Sequence, residues 1–424
     1  MPDAKTSWAE RPLGDLLDIA RQTVTPGAFP AEQFVHYSIP AWDETRGPVL
    51  ELGASIGSAK ISITQPTLLV SKLNPRISRV VLVNNRVGPR HCASTEFIPY
   101  VAKADSVCLE FFRWLLQSPM FQRRLERIAM GSTNSHTRAR STETLGWRVP
   151  CPSRAEQIRV AAVLNTVDEA IAKTEALIAK LKQVRAGLLH DLLTRGLDEH
   201  GQLRDPVAHP EQFRDSPLGR VPREWEVLSL ESVNETSSPI CYGIVQAMEF
   251  VPDGVPVLTI RDLLGDFATG VHRTAKNIDA TYARSRVRPG DVLISIKGTI
   301  GRVALVPRHF QGNISRDLAR VRPNDRLQGA FFVHLLRSAR GQRILEQAQV
   351  GTTRAELSIA PLKRLRFAFP LPNEQHRIAR VLDEHDELIR SHEVECDKIG
   401  KLKSGLMADL LTGRVRVPKS LEIG

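Results

Sequence analysis

The sequence predicts an α+β chain made by duplication, in which two mixed α/β globular domains are joined by two long antiparallel coiled-coil helices in a pseudo-twofold internal repeat. Three observations carry this expectation. Eight letters at 187–194, GLLHDLLT, return at 405–412 as GLMADLLT. The segments that hold them space their apolar residues in heptads. The blocks between them mix glycine turns with short β-branched runs and hold most of the positive charge.

The duplication runs without a gap over 156–194 and 374–412, where 17 of 39 pairs are identical, among them Arg159/Arg377, Leu164/Leu382, Asp168/Asp386 and Lys180/Lys398. A second match joins Phe111-Phe112, Leu115-Leu116 and Gln122-Arg123 to Phe331-Phe332, Leu335-Leu336 and Gln342-Arg343. A unit this long is no solenoid repeat; it is a domain plus a helix, copied once. The expected segments are 1–153 (first domain), 154–205 (first repeated helix), 206–372 (second domain) and 373–424 (second repeated helix).

In the first domain, a basic turn at Ser71-Lys-Leu-Asn-Pro-Arg76 leads into a strand at Val80–Val83. A helix over 109–130 follows, and then the polar loop Gly131-Ser-Thr-Asn-Ser-His-Thr-Arg138. The second domain opens on Trp225-Glu-Val227, for which the first has no clear counterpart, so the first domain's start is undefined in sequence. Its stretch from Gly290 to Val306 reads as strand, glycine turn, strand, a helix spans 329–350, and a loop Gly351-Thr-Thr-Arg354 closes it. Hydroxyl, amide and guanidinium groups on such loops suit phosphates and base edges, with a solvated connector as the plain alternative.

Each repeated helix starts after a Pro-x-Pro. Ser153 and Glu156 have capping-box spacing, Asn373 is the expected cap of the second helix, and Gly196 and Gly413 are the expected left-handed ends. Roughly 40 residues at about 1.5 Å each give a rod on the order of 60 Å. Val160, Leu164, Val167, Ile171, Ile178, Leu181, Leu188 and Leu192 form one seam; Ile378, Leu382, Ile389, Cys396, Ile399, Leu406 and Leu410 form the other. Polar residues interrupt both at matching places, Thr174 and Arg185 against His392 and Lys403. The rods are expected to pair with each other, the alternative being that each packs only on its own domain.

The chain has 424 residues and a net charge of +11, which points to an anionic partner. The excess lies in the domains, +5 over 1–153 and +8 over 213–372, against +2 over 154–195 and −1 over 373–424. Five scattered cysteines without a C-x-x-C pair indicate neither a disulfide framework nor a zinc site. No run of 18 apolar residues and no signal core are present, so a cytoplasmic location is expected. Catalytic signatures are missing: there is no Pro-Pro pair for an amino-methyltransferase, no E-x-K for a metal-dependent nuclease and no P-loop. No metal site or cofactor is expected on this chain.

Pro150-Cys-Pro152 with Glu156-Gln157, Pro370-Leu-Pro372 with Glu374-Gln375, and the two Asp-Leu-Leu-Thr runs make the chain resemble the specificity subunits of type I restriction-modification enzymes over nearly its whole length. The resemblance implies that the two domains are target recognition domains, each reading one half of a bipartite site in double-stranded DNA. It implies that the helices set the spacing and dock two modification methyltransferase subunits, with restriction/translocase subunits joining in some complexes. It also implies a non-catalytic chain, with S-adenosylmethionine, ATP and Mg held by the partners. Because the domains differ in their basic stretches, a nonpalindromic target is expected. The expected DNA contacts are Lys72, Asn74, Arg76, Ser94, Thr95, Asn134, His136 and Arg138 in the first domain, and Lys297, Thr299, Arg302, Asn313, Arg316, Thr353 and Arg354 in the second. Two rival readings remain at this stage: a coiled-coil assembly scaffold that does not read DNA, and a nucleic-acid enzyme with an unrecognised active site.

Overall fold

The computed structural model describes residues 8–84, 88–130, 137–349 and 356–420. It divides into two compact units, one formed by Met1–Ala176 with Val394–Gly424 and the other by Leu177–Glu393. Two long helices, Arg154–Thr194 and Pro372–Leu410, each give part of their length to either unit. Each unit therefore holds one α/β domain and a pair of helix segments.

Both domains are built on the same four-stranded antiparallel sheet. In the first unit the order is Leu17–Ile19, Phe97–Ala102, Thr67–Ser71, Val80–Val83; in the second it is Cys241–Tyr242, Leu318–Val321, Val292–Ser295, Val303–Leu305. The central strands Thr67–Ser71 and Val292–Ser295 are buried along their whole length because both faces are covered, which explains the apolar runs Leu68–Val70 and Val292–Ile294. In Thr67–Ser71, Leu68 and Val70 face a core shared with the helix Leu109–Gln117, while Leu69 faces a second core with Val81, Val83 and Phe97. In Val292–Ser295, Val292 and Ile294 face the helix side and Leu293 the other. A second sheet supplies that other side. It has five strands in the first unit and three in the second, and in each two strands run parallel, Gln33–Tyr37 with Arg90–Ala93 and Val255–Leu258 with Asn313–Ile314.

The helix expected over 109–130 is two helices, Leu109–Gln117 and Pro119–Arg127, and its counterpart is likewise split into Gly329–Arg337 and Ala339–Gln347. Ser118 and Ser338 cap the second helix of each pair, their hydroxyls accepting from the N–H of Phe121 (3.4 Å) and Gly341 (3.0 Å). The backbone turns at a serine that competes for helical donors, and at Pro119, which lacks one.

The capping box holds: Glu156 N–H donates to Ser153 Oγ (3.4 Å) and Ser153 N–H to Glu156 Oε2 (3.3 Å). Asn373 is not the cap of the second long helix. That helix starts at Pro372, whose missing donor suits a first helical position, and Asn373 lies in its first turn. Gly196 and Gly413 adopt φ of +65° and +72°, as expected of helix ends.

The repeated motifs meet within each unit, where the start of one long helix lies against the end of the other. In the second unit, buried Glu374 accepts from Leu197 N–H (2.8 Å), Arg204 (2.7 Å) and Trp225 Nε1 (3.2 Å), beside Gly196. In the first unit, Glu156 accepts from Arg416 (2.6 Å), Arg416 lies 4.9 Å from the Trp8 ring, and Trp8 abuts Gly413. Trp8 thus fills the place of Trp225, and the start of the first domain, undefined in sequence, is marked by it.

Farther along, Asp168 accepts from Lys403 (2.5 Å) in the first unit and Asp386 accepts from Arg185 (2.7 and 2.9 Å) in the second. These are duplicate positions with the helices exchanged, so one interruption of each seam, Arg185 and Lys403, is half of a matched ion pair, while Thr174 Oγ1 donates to Ala170 O (2.9 Å). The helix segments run antiparallel: partners of 156 and 168 fall at 416 and 403, and partners of 182 and 185 at 393 and 386. Val160, Leu164, Ile178 and Leu192 are buried, as are Ile378, Leu382, Ile389 and Leu410, while Val167, Ile171, Leu181, Leu188, Cys396, Ile399 and Leu406 are half-buried. The helix ends also join the domain cores, Leu164 with Phe112 and Leu382 with Phe332, so helix pairing and packing on the domains coexist.

Candidate nucleic-acid interface

Each domain carries a rim of loops at one end of its four-stranded sheet, pinned by the same backbone bonds. In the first unit, Lys72 N–H donates to Glu96 O (2.9 Å), Ala139 N–H to Lys72 O (3.0 Å), Ser94 N–H to Tyr37 O (2.9 Å) and Phe97 N–H to Ser94 O (3.1 Å). In the second, Ile296 N–H donates to Asp317 O (2.8 Å), Leu357 N–H to Ile296 O (2.9 Å), Ser315 N–H to Leu258 O (2.8 Å) and Leu318 N–H to Ser315 O (3.1 Å). Three segments therefore converge in each rim: the continuation of the central strand, a tight turn and a returning loop. Isolated antiparallel bridges, Leu73 to Arg138 and Lys297 to Glu356, mark the same place in both.

The first rim gathers Lys72, Asn74, Arg76, Ser94, Thr95 and Arg138, residues up to 66 positions apart in sequence. Asn74 has φ of +46°, a left-handed turn that asparagine tolerates, and its Oδ1 accepts from Arg76 Nε (3.2 Å). Thr95 is exposed at the turn, and Ser94 Oγ accepts from Glu96 N–H (3.2 Å). Arg138, 51% exposed, grips Glu96 with both arms of its guanidinium at 2.9–3.0 Å. Asn134 and His136 lie outside the described residues, as do Thr353 and Arg354 of the second domain.

In the second rim Lys297 and Arg316 flank a cleft of about 400 Å³, also lined by Tyr242, Val245, Glu356 and Ile359. Lys297 bonds Glu356 at 3.0 Å. Arg316 is exposed, at the turn position that Thr95 holds in the first domain. Thr299 is exposed and Arg302 half-buried, on the connection that returns to Val303–Leu305; Ser295 Oγ donates to Thr299 O (2.5 Å) and accepts from Arg302 N–H (2.8 Å).

Asn313 is a correction. It has no exposed surface, and its amide donates to Asp279 (2.8 Å) and Tyr282 O (3.1 Å) while its Oδ1 accepts from Ser285 (2.7 Å) and Ile314 N–H. A side chain whose hydrogen-bonding capacity is used inside the domain has none for DNA. Sequence reasoning also left out two carboxylates, Glu96 and Glu356, each at the centre of a rim and each bonded to a basic neighbour. Their sequence signal is adjacency alone, since Glu96 follows Thr95 and Glu356 lies two residues after Arg354.

Burial pushes the Cys92 thiol up to about 11 and raises those of Cys108, Cys151 and Cys241, the opposite of nucleophilic activation. Among the described residues no three His, Cys, Asp or Glu side chains are grouped to hold a metal ion, all five cysteines are unpaired, and no helix is long and apolar enough to cross a membrane.

Residues 222–400 match the family model described as "Type I restriction modification DNA specificity domain". The type I restriction enzyme EcoBI specificity subunit of Escherichia coli is 30% identical over 243 residues, 56% of this chain and 51% of that protein, so the match spans about half of that relative. The putative type I restriction enzyme MjaX specificity subunit of Methanocaldococcus jannaschii is 27% identical over 434 residues, 97% of this chain and 94% of the relative. Among solved structures, the S subunit of a type I restriction-modification system from M. genitalium superposes with a TM-score of 0.59 at 14% identity, covering 97% of this chain and 98% of that one. A chain from a structural study of type I R-M complex assembly and conformational transition gives 0.58 at 21% identity, covering 97% and 99%. At these identities the structures speak for the fold.

Proposed function

We propose, from its similarity to type I restriction-modification specificity subunits, that this chain is the DNA-reading, non-catalytic subunit of such a complex. The domains over 1–153 and 206–372 are the two target recognition domains, and each reads one half of a bipartite double-stranded site. The observation that carries this reading is the pair of rims: one backbone scaffold, used twice, presents different side chains at equivalent positions, Thr95 against Arg316 and Arg138 against Glu356. Shared scaffold with divergent tips is what two readers of different half-sites require.

Lys72, Asn74, Arg76, Ser94, Thr95 and Arg138, with Asn134 and His136, form the proposed contact set of the first reader. Lys297, Thr299, Arg302 and Arg316, with Thr353 and Arg354, form that of the second. The paired helices fix the spacing between half-sites and offer two equivalent docking surfaces to two methyltransferase subunits, with restriction subunits added in some complexes. S-adenosylmethionine, ATP and Mg belong to those partners, and the complex works in the cytoplasm. The scaffold alternative accounts for the helices but not for two matched rims with divergent charge.

The test is selection of duplexes from a random library by the full chain assembled with its methyltransferase subunits. Two short clusters of fixed bases, unlike each other and separated by a constant gap, are expected. The chain alone, incubated with S-adenosylmethionine and DNA, is expected to transfer no methyl groups; methylation by the chain alone, or a library left unenriched by the complex, contradicts the proposal.

A further inference from the structure

The two rims carry opposite charge at one equivalent position. Arg138 and Glu356 each make the antiparallel bridge to the strand continuation, and the residue after each donates its N–H back to that strand. Arg138 offers only donors and Glu356, ionised, only acceptors. Each is tied to a partner of opposite sign in its own rim, Arg138 to Glu96 and Glu356 to Lys297. Both rims thus hold a donor and an acceptor side by side, and the returning loop supplies the donor in the first and the acceptor in the second.

A carboxylate at the centre of a DNA-facing surface repels the phosphate backbone, so it lowers affinity for every sequence alike. The basic neighbour offsets part of that repulsion and leaves the carboxylate with acceptor capacity that donor groups on the DNA can fill. In the major groove those groups are the amines of cytosine and adenine. Adenine sets the N7 acceptor beside its amine, against the second carboxylate oxygen, whereas cytosine sets only a C–H there. The guanine paired with that cytosine presents O6 and N7, both acceptors, to a neighbouring lysine or arginine.

We propose, resting on the DNA-reading function above, that Arg138–Glu96 and Lys297–Glu356 are preformed donor–acceptor couples, each reading one G·C pair in the major groove. The carboxylate takes the cytosine amine and the basic side chain takes guanine. The ion pair holds both side chains in place before DNA arrives, which reduces the ordering that binding requires. Because the loops contribute opposite members, the two G·C pairs are read by couples of reversed polarity. Glu96 and Glu356 are then specificity-determining residues.

The experiment is the same duplex selection by the full chain with its methyltransferase subunits, run with Glu356→Gln, Glu96→Gln and the reversed couple Lys297→Glu with Glu356→Lys. Glutamine keeps the shape, and matching thermal melts identify folded variants. Each wild-type half-site is expected to contain a fixed G·C pair. Glu356→Gln is expected to relax that one position, because its amide oxygen still takes the cytosine amine while its amide nitrogen now suits adenine N7, so discrimination against A·T of about 5- to 150-fold is lost, while the other half-site stays unchanged. Glu96→Gln is expected to do the same in the other half, and the reversed couple to exchange G·C for C·G. A wild-type motif with no fixed G·C pair in a half-site, or one left intact by both glutamine variants, overturns this assignment alone. A wild-type complex that enriches no motif overturns the DNA-reading function and the assignment with it.

Discussion

Gln375 ties the second domain to the start of the second long helix, and Gln375→Ala measures how much that tie contributes. The side chain has no exposed surface; its Oε1 accepts from Gln328 N–H, and its Nε2 donates to the carbonyls of Arg326 and Pro370, all at 2.8 Å. Alanine leaves one backbone donor and two carbonyls without this partner. An orphaned buried group costs about 1–3 kcal/mol, and carbonyls recover part of it through their second lone pair, so a loss of about 3 kcal/mol is expected. For a unit of this size each kcal/mol lowers the melting temperature by about 2–4 °C, which gives a shift of about 6–12 °C. Fluorescence of Trp225, 1% exposed in the same unit, reports the transition. Gln375→Glu adds a discriminating step: a carboxylate still accepts from Gln328 but faces two carbonyls with no donor, so it is expected to destabilise at least as much. Gln157 repeats the arrangement in the first unit, accepting from Cys108 N–H (2.8 Å) and donating to Pro152 O (3.0 Å), with a longer 3.4 Å bond to Ser106 O. Its alanine variant is expected to lose slightly less. A Gln375→Ala melt within 1 °C of wild type, or a neutral Gln375→Glu, refutes this reasoning.

Three further outcomes are expected. Gly196→Ala forces a Cβ at φ +65° to within 2.2 Å of Glu374 Oε1, in a buried ion pair with Arg204, whereas at Gly413 the nearest atom is the Trp8 ring at 2.9 Å; denaturant titration is expected to show the larger loss for Gly196. Arg185→Asp with Asp386→Arg is expected to recover most of the about 1–3 kcal/mol lost in either single variant, as read from a double-mutant cycle by urea unfolding. Burial lowers the His334 pKa below its ordinary 6.5, against the opposing pull of the Asp383 carboxylate that takes its Nε2–H (2.8 Å), and the Arg185 guanidinium facing Nδ1 (3.4 Å) lowers it further. The folded form stays neutral where the unfolded chain takes up a proton, so this stability is complete above pH 6.5 and is lost as pH falls from there through the lower folded-state pKa; His334→Gln is expected to flatten the urea midpoint between pH 7 and 5.

The sequence made the duplication, the long helices and the glycine ends legible because these are local or periodic features. The reason for Glu-Gln was not legible: an amide that holds two backbone groups about 50 residues away, and a third five residues before it, leaves no local pattern. Ser118-Pro119 announces a break that the apolar spacing across it conceals. Trp8 went unseen because Ala9 and Glu10 depart from the Glu-Val that follows Trp225, although the indole alone fills the pocket by the helix end. Asn313 misled because an amide three residues before Arg316 suits a base edge, and nothing in the sequence reveals that Asp279, Tyr282 and Ser285 surround it. Glu96 and Glu356 were missed because net charge, summed over a domain, hides the few acidic groups set among basic ones.

Replacing residues 1–153 by the corresponding domain of a relative, and mapping methylated bases across the genome of a host that carries the complex, probes the division into two independent readers. One half of the bipartite motif is expected to change while the other half and the gap stay as they were. A motif altered in both halves, or in neither, contradicts the claim that each domain reads its own half-site.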